Sequence, residues 1–118
     1  MYDHIELKVK DLAKAAGFYE AVLKPLGARL CYEDANMKGF GKTKVPGLYL
    51  AKGSANKGIH IAFAASSRAA VDGFHEAGLE AGGKDNGAPG IRADYAPTYY
   101  AAFLIDPDGN NVEAVCLK

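Results

Sequence analysis

His4 and His60 stand 56 positions apart, and each opens the same short strand pattern: His4-Ile5-Glu6-Leu7-Lys8-Val9 and His60-Ile61-Ala62-Phe63-Ala64. Neutral imidazole is the commonest protein metal ligand and an acid–base group near neutral pH. One strand histidine alone is usually a hydrogen-bonded structural residue. Two at equivalent positions set a metal-site reading beside the structural one. The equivalence extends past the strands, because Ala13, Gly17, Phe18, Glu20, Ala21, Leu23 and Gly27 meet identical residues at the same offset. In all, nine of the 24 positions from His4 to Gly27 repeat. Two copies in so short a chain predict one pseudo-symmetric domain built from two half-domains.

The elements that carry these histidines follow from periodicity. In residues 3 to 9, Ile5, Leu7 and Val9 share one face of a strand, and His4, Glu6 and Lys8 share the other. Asp11 caps a helix running to about Lys24, with Leu12, Ala15, Tyr19 and Val22 at helical spacing, and Pro25 and Gly27 end it. Strands are expected at about 28–32, 37–42 and 47–51. Residues 52–57 are a polar junction between module 1 (1–52) and module 2 (57–118). His60 then shares a strand face with Ala62 and Ala64, small residues that leave room for a cavity. Ser66 or Ser67 caps a second helix that turns Val71, Phe74, Ala77 and Leu79 inward and ends at Gly82-Gly83. This spacing puts His75 on the solvated face. Gly87, Pro89 and Gly90 predict a long loop over 84–97 with at most one short strand. Tyr99–Ile105 and Asn111–Leu117 are strands joined by the Asp106-Pro107-Asp108-Gly109 turn. The expected fold class is α+β, strand-helix-strands in each half.

Composition removes several functions. Fourteen basic and fourteen acidic residues cancel across 118 positions. That leaves no concentrated basic surface for nucleic acid or anionic membranes. No apolar run approaches the length of a membrane span, and the N-terminus lacks a signal-peptide core. Cys31 and Cys116 have no disulfide-framework or metal spacing and suit ordinary strand positions, so a reduced cytoplasm is expected.

Four segments together resemble the vicinal-oxygen-chelate superfamily of glyoxalase I, bleomycin-resistance proteins, fosfomycin-resistance thiol transferases and extradiol dioxygenases. They are Asp3-His4-Ile5, Asp11-Leu12 leading to Phe18-Tyr19, Ile59-His60-Ile61-Ala62, and Phe103-Leu104-Ile105-Asp106-Pro107-Asp108-Gly109-Asn110-Asn111-Val112-Glu113. The resemblance covers essentially the whole chain. It implies two βαβββ modules whose sheets form a cup around a cavity, and commonly a homodimer, in some members with shared sites.

In metal-using members the ligands come from the first and last strand of each module. Carried over, these positions are His4, Tyr49, His60 and Glu113. Tyr49 stands where glyoxalase I has a glutamate, and a phenol is a poor replacement as ligand or base. His4, His60 and Glu113 remain, two imidazoles and a carboxylate, which suit Fe, Mn, Zn or Ni with positions left open for substrate. The implied function is a metal-dependent lyase, isomerase or dioxygenase acting on a small oxygen-rich substrate, with Tyr49, Arg92 and Tyr100 as substrate-binding candidates. The alternative is a metal-free drug-binding protein of the bleomycin-resistance type, which the absence of Trp disfavours. Phosphonate modification ranks third, since nothing in the sequence shows that Arg92, Lys84, Lys38 and Lys42 converge.

Overall fold

Each half of the chain repeats one plan, and the helices of the two halves pack against each other. In the computed structural model, which describes residues 1–118, strand β1 (Ile5–Val9) leads to helix α1 (Leu12–Leu23), followed by β2 (Arg29–Glu33), β3 (Met37–Gly41) and β4 (Leu48–Lys52). The second half is β5 (His60–Ala64), α2 (Arg68–Glu80), β6 (Lys84–Ile91), β7 (Tyr100–Ile105) and β8 (Asn111–Cys116). The sheet orders are β1-β4-β3-β2 and β5-β8-β7-β6. In both, the first strand runs parallel to the last and the remaining pairs are antiparallel. The chain therefore folds as two βαβββ modules of the α+β class.

The caps form as the sequence predicts. Asp11 accepts from the Lys14 amide and Ser67 from the Ala70 amide, satisfying helix donors that would otherwise lack partners. Alternation decides the rest. Leu7, Val9, Leu48, Leu50 and Phe40 point from the first sheet toward the helices, as Ala102, Leu104, Val112, Ala114 and Cys116 do from the second. They join Phe18, Tyr19, Val22, Val71 and Phe74 in one continuous core. The helices are thus the shared middle layer, and the molecule is elongated, 43 × 27 × 26 Å. Each sheet's other face turns away from the helices and is covered only in part, on the second sheet over Ala101 and Glu113.

Two features lock the modules together. A Cβ on Gly78 would lie 2.2 Å from Leu104 Cδ1 and 3.0 Å from Val22 Cγ1, so this glycine permits close approach of α2 to α1 and to β7. Gly78→Ala gains about 1 kcal/mol of helix propensity. Overpacking at this contact costs more, so thermal unfolding should show a net loss of about 2 kcal/mol. The second lock is a buried hydrogen-bond network at the β7–β8 turn. Asp106 accepts from the Asp108 and Asn110 amides, from Asn110 Nδ2, and from the Tyr19 hydroxyl of α1 at 2.5 Å. Burial first, then the Asp106 charge, push the Tyr19 phenol far above its ordinary pKa, so it stays a donor. Asn110 Oδ1 in turn accepts the Ile59 amide at the entry to β5. The Asp-Pro-Asp-Gly-Asn motif is therefore a clamp as well as a turn.

Three expectations need correction, the first being Leu79: it is 44% exposed rather than inward, and Gly78 takes the buried place beside it. Residues 84–91 form a strand of eight residues rather than a loop. It lies at the sheet edge, where Pro89 need not donate to a ladder, and register shifts around Gly87 absorb the irregular backbone. His75 is not solvated either. Its side chain is 11% exposed, and Nε2 lies 2.8 Å from Asp85 of β6. Asp85 belongs to this edge strand, so the strand supplies the partner of His75.

Candidate functional site

The open face of the second sheet carries His60 and Glu113. In the parallel β5–β8 ladder, His60 pairs with Asn111 and Ala62 with Glu113, so the His60 and Glu113 side chains rise on the same face. His60 Nε2 lies 3.1 Å from Glu113 Oε1. The Glu113 side chain is only 3% exposed, against 48% for His60. A carboxylate buried this far is costly unless it is paired. No Lys or Arg lies within ion-pair distance of it. Its other oxygen, Oε2, accepts from the Tyr99 hydroxyl at 2.5 Å. That bond is the main reason the Tyr99 pKa is pushed up to about 12, so Tyr99 donates across the neutral range.

The histidine's proton inventory defines what the pair lacks. His60 Nδ1 lies 3.1 Å from the Asn111 carbonyl oxygen, which can only accept, so Nδ1 carries the hydrogen. Neutral His60 then turns the lone pair of Nε2 toward a carboxylate oxygen. Two acceptors at that distance need a hydrogen between them, carried by His60 Nε2 or by the Glu113 carboxyl, or else a metal ion. A separation of 3.1 Å fits an ordinary N–H···O or O–H···N bond, and it equally fits two donors each about 2.1 Å from one ion at a right angle, which stand about 3 Å apart. The Asn111 carbonyl holds Nδ1 and leaves Nε2 turned toward Glu113, the orientation that outer-shell carbonyls give to metal-ligating histidines.

The first sheet presents the pseudo-symmetric counterpart. Glu6 pairs with Tyr49 as Ala62 pairs with Glu113, so Tyr49 occupies in module 1 the place Glu113 holds in module 2. His4 packs edge-on against Tyr49 with ring centroids 5.4 Å apart, and Tyr32 also meets Tyr49 edge-on at 6.2 Å. His4 Nδ1 bonds Asp3 Oδ1 at 2.6 Å, leaving Nε2 free. Within one chain, His4 does not join the other pair, and no three His, Cys, Asp or Glu side chains converge as a metal-holding group. The single chain therefore presents two half-sites, His4 with Tyr49 and His60 with Glu113.

Of the other candidates, Arg92 reaches the same open face as Glu113, with its guanidinium over the Phe103 ring at 5.4 Å. Phe103 also stacks on His60, ring centroids 6.3 Å apart. Tyr100 does not join them. It pairs with Cys116, on the helix side of the sheet, and its hydroxyl donates to Asp72 at 2.6 Å. Tyr99, one residue earlier, has the parity that faces Glu113. The neighbouring tyrosines marked the segment in the sequence, but only the register chose between them.

Two βαβββ modules, each a four-stranded mixed sheet with one helix, are the plan of one known class of protein. The chain belongs to the Glyoxalase/Bleomycin resistance protein/Dioxygenase superfamily, whose family model matches residues 2–114. It is 29% identical to a glyoxalase/bleomycin resistance protein from Albidiferax ferrireducens T118, with a TM-score of 0.85 over 98% of each chain. The fold is shared by the fosfomycin resistance protein FosX from Mesorhizobium loti (22% identity, TM-score 0.72, 98% of this chain and 91% of that one). A glyoxalase-related enzyme from Fulvimarina pelagi shares it too (20% identity, TM-score 0.68, 98% and 87%). No curated protein matches the chain.

Proposed function

We propose that the protein is a metal-dependent enzyme acting on a small oxygen-rich molecule. The observation that carries this is the buried Glu113 carboxylate facing His60 Nε2 across 3.1 Å, with the histidine's other nitrogen held on a carbonyl. Both residues would hold the ion, and His4 would supply a third donor. A bound divalent metal would act as a Lewis acid that polarises neighbouring substrate oxygens. Tyr99 fixes the Glu113 carboxylate by donating to Oε2, and Asn111 fixes the imidazole plane. Tyr49, in the place a second carboxylate would take, offers a hydroxyl in place of a proton-shuttling base. Lyase or dioxygenase chemistry fits this set better than isomerisation by a carboxylate on each side.

His4 meets the pair if the protein is a homodimer. β1 and β5 are both outermost strands; His60 begins β5, and His4 immediately precedes β1. Asn56 already covers part of the β1 edge, through bonds to both the amide and the carbonyl of Lys8, which leaves the His4 end as the part to be joined. In a two-fold dimer, module 1 of one subunit would sit beside module 2 of the other. Mixing His4→Ala and His60→Ala subunits tests this. Random pairing regenerates about a quarter of the wild-type sites if each is shared across a two-fold. Sites confined to one chain regenerate none. Metal binding by the mixed sample, measured by calorimetry, separates the two.

A second reading has one supporting observation. Aromatic rings stand on both open faces, Tyr32 and Tyr49 on one and Tyr95, Tyr99 and Phe103 on the other. Such walls suit a metal-free protein that sequesters a flat drug.

A further inference from the structure

We propose that the substrate is a small organic acid whose carboxylate is held by Arg92, while its pair of neighbouring oxygens lies at the His60–Glu113 end. This rests on the metal-enzyme reading and adds the substrate's charge and layout. Arg92 is built into place. Its backbone amide donates to the Tyr99 carbonyl at 2.8 Å, so the base of the 92–99 loop sets Arg92 and Tyr99 side by side. Nη2 donates to the Ala88 carbonyl at 2.6 Å, and the guanidinium lies over Phe103. Glycines clear the space it occupies. A Cβ on Gly87 would lie 3.2 Å from Nη2, and one on Gly90 would lie 3.2 Å from Nη1. A guanidinium lying on a ring and tied to a carbonyl has already lost the freedom that an exposed arginine keeps.

What it lacks is an anion. Ala88 takes one of five N–H groups, and no Asp or Glu of the chain pairs with it. The fork matches a carboxylate in shape and charge. A dianionic phosphonate would call for further cations here, and Lys38 is bound to Glu33 on the other module. Phe103 touches both His60 and Arg92, so the ring is the platform between the two ends. A ligand bridging them is short, chelating at one end and singly charged at the other.

The test uses two probes with one chelating head, 2-oxoglutarate and 2-oxopentanoate, which differ by the distal carboxylate. Affinity for Fe(II), Mn(II), Zn(II) and Ni(II) is measured first on the full chain. Probe binding to the metal-loaded protein follows, with wild type, Arg92→Lys and Arg92→Gln compared after their folds are matched by circular dichroism. The Arg92 Nε–H resonance, assigned by its loss in Arg92→Lys, is recorded throughout. The diacid should bind about tenfold more tightly than the monoacid, as a charge-assisted bidentate pair predicts. That preference should vanish in Arg92→Gln, and the resonance should shift only with the diacid. If one of these ions binds and the two probes bind alike, the carboxylate seat is wrong and the metal reading stands. If none of Fe(II), Mn(II), Zn(II) or Ni(II) binds but the diacid alone still shifts the Arg92 resonance, the metal reading fails and the seat stands. Neither metal binding nor a shift overturns both.

Discussion

Asp106→Ala should lower the stability of the folded chain by about 4 kcal/mol, because it strands several buried donors that each cost ~1–3 kcal/mol without a partner. The carboxylate takes hydrogen bonds from two amides, one side-chain amide and the Tyr19 hydroxyl. Folded chains of this size carry roughly 0.05–0.15 kcal/mol per residue, so the loss is a large share of the total. Tyr19→Phe removes one donor and leaves the turn intact, and should cost about 1 kcal/mol. Urea unfolding of the three proteins checks the order. Equal stability of wild type and Asp106→Ala would mean that the turn, and not the network, fixes the junction of the modules.

The second large effect falls on metal affinity. His60→Ala and Glu113→Ala each remove a donor, so both should weaken divalent-ion binding beyond the ~10–100-fold range typical of outer-shell changes. Tyr99→Phe should fall inside that range, because it frees Glu113 Oε2 from the bond that orients it while leaving the donors in place. Competition with a chromophoric chelator, with the fold monitored by circular dichroism, measures all three. A Tyr99→Phe loss equal to that of His60→Ala would make the tyrosine itself a ligand.

The two outcomes draw on different parts of the sequence. The repeated strands, the Asp11 and Ser67 caps and the Asp-Pro-Asp-Gly turn were legible, because local propensity and tertiary packing agree there. So was the open face that holds His60, since period-two alternation with Ala62 and Ala64 fixes it. Strand β6 was not legible. Gly87, Pro89 and Gly90 signal a turn, and only a sheet edge with register shifts lets such residues pair at all. That single misreading also hid the setting of His75, whose partner is Asp85 of the same strand. Tyr100 was singled out in place of Tyr99 because the phase of β7 depends on its partner β8, which a run of neighbouring tyrosines does not reveal. Gly78 is silent in sequence too, since its need for closeness exists only once α1 meets α2.

Metal content by plasma mass spectrometry, on protein purified without chelator or affinity tag, tests the central claim most directly. The account predicts near-stoichiometric Fe, Mn, Zn or Ni in the wild type and its loss in His60→Ala of matched fold. A wild-type protein that is empty, and that added divalent ions do not load, would contradict it: a hydrogen, and not a metal ion, would then join His60 and Glu113.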